Sequence, residues 1–321
     1  MPNRPIDPLH GSGLLPVEIS DTAGVPPGGF LEAEGLSAEV LTNRQLAWRR
    51  FRRHKAAMAS LVIFGIIVLL TLLAPVVAPV GFEEQFITRS LEPPSRDFWF
   101  GTDRLGRDVL TRVLYGGRVS ILVGIGVALA SAMIGTVVGA IAGFFGGRID
   151  TILMRFTDAM LALPALIFLI VVGRILGTSV FNIVLVLTLI FWMPLARIVR
   201  GQFLSLKEKE FVEAARALGA KSGRIIFRHI LPNTIGPITV TVTLLVAGAI
   251  LSEATLSFLG FGIQLPTPSW GNMIADARGQ LTTSPWMLWF PGLALIITVI
   301  CVNFLGDGLR DALDPTQRKS S

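Results

Sequence analysis

"EFVEAARALGAKSGRIIFRHILPNT", residues 210–234, is charged and helix-forming, yet it lies between two apolar runs of membrane length. Within 203–219, Phe211, Ala215 and Leu218 recur at i, i+4, i+7, and Lys209, Glu213 and Arg216 repeat that spacing two residues earlier. Two residues are about 200° around a helix, so the two stripes lie on opposite faces. Ser205 and Glu208 have the spacing of a capping box at the start of this helix. Gly219 suits the left-handed residue that ends one, and a second short helix from about Ser222 to Leu231 is separated from the next apolar run by Pro232. The spacing predicts a helix–turn–helix lying on one face of a membrane. Such an element either rests on lipid headgroups or docks on a protein; its polar face is mixed in sign rather than purely basic, which suits a protein.

The rest of the chain supports the membrane setting. Of 321 residues, 52% are hydrophobic and only 16% charged, against about 25% charged in soluble domains. The formal net charge of +6 comes from basic residues clustered at the ends of apolar runs, which points to a membrane surface and not to nucleic acid. The single cysteine, Cys301, lies inside an apolar run and can form no intrachain disulfide. His10, His54 and His229 are too scattered for a metal site, and neither HExxH nor GxSxG occurs. "GAKSGR" (219–224) lacks the spacing of a phosphate-binding loop. Nothing in this chain is expected to hydrolyse a nucleotide.

Residues 1–42 hold six acidic residues and one basic one, Arg4, with many Pro and Gly. They read as a disordered tail, since they cannot bury enough apolar surface to offset their ordering entropy. A basic arm, "RRFRRHK" (49–55), then precedes six apolar runs at about 56–80, 119–145, 157–176, 178–197, 233–262 and 287–308. Each is near the ~20 residues that a helix needs to cross a bilayer. Pro164 is expected to kink the third. Gly135, Gly139 and Gly143 form two overlapping GxxxG patterns in the second, a smooth face for close helix packing. With 49–55 on the cytoplasmic side, the connection at 198–232 is cytoplasmic and carries Arg200, Lys207, Lys209, Arg216, Lys221, Arg224 and Arg228, whereas the outer 264–286 loop has Arg278 as its one basic residue. Both termini are then cytoplasmic, in a multi-pass membrane protein.

Four further features stand out. Glu253 is an ionisable group near the outer end of the fifth run, and such groups are costly unless functional or paired; it either lines a pore or gate or pairs at the interface with an outer-loop Arg. Arg155 and Asp158, at i, i+3, suit a local pair at the cytoplasmic end of the third run. Trp270, in "PSWG", suits an aromatic belt. "GTDRLGRD" (101–108) is rich in turn-formers and charge, as in a solvated outer loop.

"EAARALG" followed by "HILP" resembles the EAA motif of bacterial ABC importer permeases: EAA, three residues, Gly, nine residues, Ile, one residue, Leu-Pro. Glu213, Ala214, Ala215, Gly219, Leu231 and Pro232 match, and His229 stands where the motif has Ile. "FGTDRLGRDVLTRVLYGGRVS" (100–120), "DAMLALPALIFLI" (158–170) and "EATLSFLGFGIQLPTPSWG" (253–271) are similar to the dipeptide/oligopeptide/nickel branch, in its second-permease type, over about 45–315. The resemblance implies an all-α fold of six transmembrane helices, with a basic arm, first helix and outer loop over 43–118. A permease domain over 119–310 would carry coupling helices at about 203–231, and a cytoplasmic tail would occupy 311–321. It implies import of peptides, or of nickel, glutathione or another small solute, by alternating access. The partners implied are a homologous permease, two ABC ATPase subunits that carry the ATP and Mg, and an extracytoplasmic binding protein. This chain itself would hold no cofactor and would not be an enzyme. Asp103, Arg107, Asp108 and Trp270 become candidates for docking that binding protein. An ion-driven secondary transporter would show an internal repeat and midplane carboxylates, and a membrane-embedded enzyme a nucleophile or metal cluster within the spans; neither pattern is visible in the sequence.

Overall fold

In the computed structural model, residues 43–313 are described; the acidic segment 1–42 and the last residues, 314–321, lie outside them. The chain opens with α1 (Asn43–Arg53), the basic arm, which turns at His54 into α2 (Lys55–Leu72). The His54 Nδ1 accepts the Ala57 N–H and caps α2. At 18 residues α2 spans ~27 Å, enough to cross the hydrocarbon layer, and a short α3 (Ala74–Val77) with Pro75 in its first turn follows.

Helices α4 (Val109–Phe145) and α7 (Val180–Leu206) form the most closely packed pair. A Cβ on Gly135, Gly139 or Gly143 would stand 2.7 Å, 2.4 Å or 2.6 Å from atoms of α7, so the two backbones touch through these glycines. The small-residue stripe read from the sequence is this contact. Above it, Val123 and Val127 join Ile183, Leu187, Ala249 and Leu256 in a buried apolar core.

The third run is not one straight span. It is divided into α5 (Gly147–Leu161) and α6 (Ala165–Leu176), bent 89° to one another. Pro164 has no N–H to continue the ladder, and the chain turns there more sharply than a kink. Asp150 and Asp158 on α5 pair with Arg200 and Arg197 on α7. The expected local pair of Arg155 with Asp158 is therefore replaced by a pair between helices.

The expected spans are also displaced at their ends. The second helix begins at Val109 rather than 119, the fourth ends at Leu206 rather than 197, and the sixth, α12 (Trp286–Leu313), runs past 308 and takes up the start of the expected tail at 311. Between α7 and α12 lie α8 (Glu210–Ala217), α9 (Ser222–Arg224), a six-residue π-helical stretch at Ile225–Ile230, α10 (Leu231–Phe258) and α11 (Trp270–Ala277). Among the described residues, five helical stretches are long and apolar enough to cross a membrane, or six where the bent pair α5–α6 counts as one broken span. The regular structure among the described residues is helical, with one isolated bridge between Thr102 and Asp108.

Candidate functional site

The elbow between α7 and α10 is built differently from the sequence expectation at three points. Ser205 belongs to the last turn of α7, so the expected capping box with Glu208 does not form. The helix α8 starts at Glu210, with Lys209 in extended conformation as its N-cap. Glu210 and Glu213 in its first turn complement the positive end of the helix dipole. The buried face is also rotated: Val212 and Ala215 point inward, while Phe211 is 42% and Leu218 89% exposed. Val212 packs with Val199 and Phe203 of α7 and with Ile225 and Ile230, which seats α8 on the bases of both neighbouring helices.

Gly219 behaves as expected, with φ +78°. The Ala220 N–H donates to the Ala215 carbonyl at 3.0 Å and the Gly219 N–H to that of Arg216 at 2.9 Å. These are the two bonds of a Schellman C-cap, which needs a left-handed residue at this position. Ala220 then packs against the same apolar cluster.

The second half of the elbow is continuous with the membrane helix, contrary to the expectation that Pro232 would divide them. From Ser222 to Phe258 the chain stays helical, through the π-helical stretch. There the Leu231 N–H reaches back to the Ile226 carbonyl, an i→i−5 bond. A widened turn relieves the clash that a proline ring makes with the carbonyl four residues earlier in a regular helix. His229, at the motif's Ile position, is half-buried and leaves the core contact to fully buried Ile230. Glu213 and Ala214 face outward, with no ion partner for Glu213 among the described residues. The elbow thus presents Phe211, Glu213, Ala214 and Leu218 to the outside from a base fixed to α7 and α10.

At the opposite end, residues 78–108 fold into a cap instead of a solvated loop. The Leu91 N–H donates to the Asp103 carbonyl at 3.1 Å, the Thr102 N–H to the Glu92 carbonyl at 2.9 Å, and the Trp286 indole N–H to the Thr102 carbonyl at 3.1 Å. The Asp103 carboxylate accepts from the Leu105 N–H at 2.8 Å, the Arg107 N–H at 3.0 Å and the Arg107 Nε at 2.6 Å. Arg112 lies 3.6 Å from it. Asp108 caps α4 by accepting the Thr111 N–H at 2.8 Å. On the outer surface, hydrogen bonding from Arg89 holds the Glu92 carboxyl below the usual carboxylate range.

These contacts correct the docking assignment. Asp103, Arg107, Asp108 and Trp270 are each at most 6% exposed, and a buried side chain cannot receive a partner. Trp270 is not in an aromatic belt: its indole N–H donates to the Val113 carbonyl at 3.0 Å, with its ring against Gly117. Arg104 and Leu105 form the exposed tip of that loop.

Glu253 is fully buried and makes no pair with an outer-loop Arg. Its carboxylate accepts the Ser120 hydroxyl of α4 at 3.0 Å and the Ser257 hydroxyl at 2.7 Å. Each serine oxygen in turn accepts a backbone N–H, from Trp270 at the start of α11 at 3.3 Å and from Ile263 at 3.1 Å. Hydropathy marks neither serine partner; Ser120 comes from 133 residues away and Ser257 from the next turn of α10, four residues on.

The fold and its elbow define a multi-pass membrane protein with an exposed helix turn packed on the ends of α7 and α10. Residues 135–319 match the family described as binding-protein-dependent transport system inner membrane component, and residues 42–94 match the N-terminal TM domain of oligopeptide transport permease C. The chain is 44% identical over 305 residues to the oligopeptide transport system permease protein of Bacillus subtilis (strain 168), covering 95% of this chain and 99% of the relative. It is 44% identical over 289 residues to the dipeptide transport system permease protein of the same organism, 90% of each chain. To the oligopeptide transport system permease protein of Escherichia coli (strain K12) it is 41% identical over 288 residues, 89% and 95% of the two chains. The chain belongs to the binding-protein-dependent transport system inner membrane component family, as the EAA resemblance implied. That leaves the reading as an ion-driven transporter without support.

Proposed function

We propose that this chain forms half of the translocation pore of an ATP-driven importer of peptides. A homologous permease supplies the other half, two ATPase subunits hold the ATP and Mg, and an extracytoplasmic binding protein delivers the substrate. The observation that carries this reading is the elbow at 206–231. It joins α7 to α10 without a flexible link and leaves Phe211, Glu213 and Leu218 facing outward. A push on α8 from an ATPase would reach both helices, and alternating access follows from their reorientation. Peptides are favoured as substrates by the relatives' names. The elbow faces the cytoplasm in this reading because its basic residues lie at the same end as the arm, so both termini are cytoplasmic.

Two measurements test the proposal. Cysteines at Lys221 and Gln264, both exposed, in a Cys301→Ala background should react with impermeant reagents from opposite sides of the membrane. Uptake of a labelled tripeptide by proteoliposomes of the reconstituted complex should need ATP inside and binding protein outside. Labelling from one side only would refute the topology, and ATP-independent uptake the transport mechanism.

A further inference from the structure

The helix α5 is flanked at both ends by backbone that turns sharply. Before it, Gly146 and Gly147 have φ +66° and +55°. Gly146, with ψ −157°, is in a region that is essentially reserved for glycine. After it, the helical ladder stops at Leu161 and resumes at Ala165, across the 89° bend at Pro164.

Between these two joints α5 is lightly held. Thr157 is its one buried residue, and the Thr157 hydroxyl is spent on the Leu153 carbonyl of the same helix at 2.8 Å. Met160 and Leu161, in the last turn, pack against Trp192, Met193 and Ala196 of α7. A segment with so few buried contacts opens at low cost. Charge fixes the rest. The Arg200 Nε and Nη2 both donate to the Asp150 carboxylate, the latter at 2.6 Å, a two-point bond that sets orientation as well as distance. Asp158 meets Arg197, but that pair is at least half exposed on both sides and so contributes little. The Asp150 side chain is 16% exposed, and its pair carries the attachment. Both arginines belong to the last three turns of α7, whose end at Leu206 leads directly into the elbow.

We propose that Asp150 and Asp158 are positioning residues that make α5 a strap carried by α7. When the elbow displaces α7, the ion pairs take α5 with it, and the chain bends at Gly146–Gly147 and at Pro164. Without the Asp150 pair the strap would lag behind α7, because its first turns bury no residue. The inference rests on the reading of the elbow above, in which a push on α8 reaches α7.

The test is double electron–electron resonance on the full complex in nanodiscs, in a Cys301→Ala background, with spin labels in place of exposed residues. The pair Ile198 and Ile297 reports movement of α7 against α12, Ile152 and Ile198 that of α5 against α7, and Ile152 and Ile175 the angle between α5 and α6. On trapping with ATP and vanadate, the first and third distances should shift by ~2 Å or more, the size of a helix shift at an interface. The second should stay constant within that margin. Asp150→Asn should broaden the second distance, Asp158→Asn should do so less, and Asp150→Arg combined with Arg200→Asp should narrow it again. A mere loss of folding would not be rescued by that exchange. Movement of α7 with no change between α5 and α6 would overturn the strap and leave the elbow's role standing, as would an unchanged second distance in Asp150→Asn. No movement of α7 at all would overturn both.

Discussion

Ser120 on α4 and Glu253 on α10 meet at 3.0 Å, and the same serine oxygen receives the backbone N–H of Trp270. The carboxylate thus ties two membrane helices to the segment that follows α10. No cation among the described residues pairs with it, so its stability rests on donated hydrogen bonds. Glu253→Ala leaves both serine hydroxyls without their acceptor and should destabilise the subunit by roughly 1–3 kcal/mol. Glu253→Gln retains one oxygen acceptor and should be milder. Thermal unfolding of the detergent-solubilised complex, beside peptide uptake, separates the two roles. Loss of uptake by a Gln variant of normal stability assigns the charge to the outer gate, and normal uptake leaves it a structural tie.

Gly139 and the Ala196 carbonyl define a second test. A Cβ at Gly139 would sit 2.4 Å from that oxygen, on backbone that cannot move without separating α4 from α7. Gly139→Ala is expected to cost ~1–3 kcal/mol, as overpacking does, and to lower the level of assembled complex. Gly201→Ala, on α7 itself but with open space around the added methyl, should leave the level unchanged. Equal levels of both variants would show that the close contact is not needed.

Asp276 on α11 gives a pH dependence for the cap formed by residues 78–108. Burial pushes its carboxyl up, against the pull of Arg112, Arg107 and Arg104. The nearest of these contacts is long, 3.9 Å from Arg107. The folded state therefore holds this proton more tightly than the unfolded chain does, and raising the pH above the ordinary carboxylate value removes stability until the folded group has ionised. Asp276→Asn has no proton to lose. Measured from about pH 4 to about pH 8, the melting temperature of wild type should fall relative to the variant as the pH rises. A constant difference would show that Asp276 titrates normally.

Sequence periodicity made part of this visible. Gly135, Gly139 and Gly143 were legible because a small residue every fourth position has one geometric use in a membrane helix, and Gly219 because a helix end favours a left-handed residue. Hydropathy marked where lipid surrounds the chain but not where a helix ends, so it missed the turns of α4 at 109–118, where Arg112 is 1% exposed. In α8 the choice between Phe211 and Val212 as the inward residue is one position, about 100°. Apolarity alone could not say which of them faces the chain and which awaits a partner. The π-helical stretch at 225–230 is marked only by the Pro232 that follows it, which reads equally well as a helix break. The buried charges of the cap looked like surface because Asp103, Arg107, Asp108 and Arg112 are balanced in sign. That balance, with Asp108 three residues before Thr111, was the available sign of an internal network.

The elbow itself carries the last prediction. Among the described residues, nothing beyond its own chain neighbours lies within 4 Å of where a Cβ on Gly219 would stand, so the obstacle to Gly219→Val is its own φ of +78°. That conformation costs a β-branched residue ~1–2 kcal/mol or more, enough to shift the occupancy of the Schellman turn by a factor of about 5–30. The strain falls at the tip, while Val212, Ile225 and Ile230 still hold the base, so membrane insertion should be normal. Glu213→Ala acts differently. Glu213 is exposed and has no ion partner among the described residues, so its loss should hardly change the fold. Any large defect must then come from a contact outside this chain. Both variants are expected to reach normal membrane levels, to release their ATPase subunits more readily in a pull-down, and to lower substrate-stimulated ATP hydrolysis in the reconstituted complex. If both keep their ATPases and hydrolyse ATP as wild type does, α8 is not the coupling surface, and its exposed Phe211 and Leu218 rest on lipid instead.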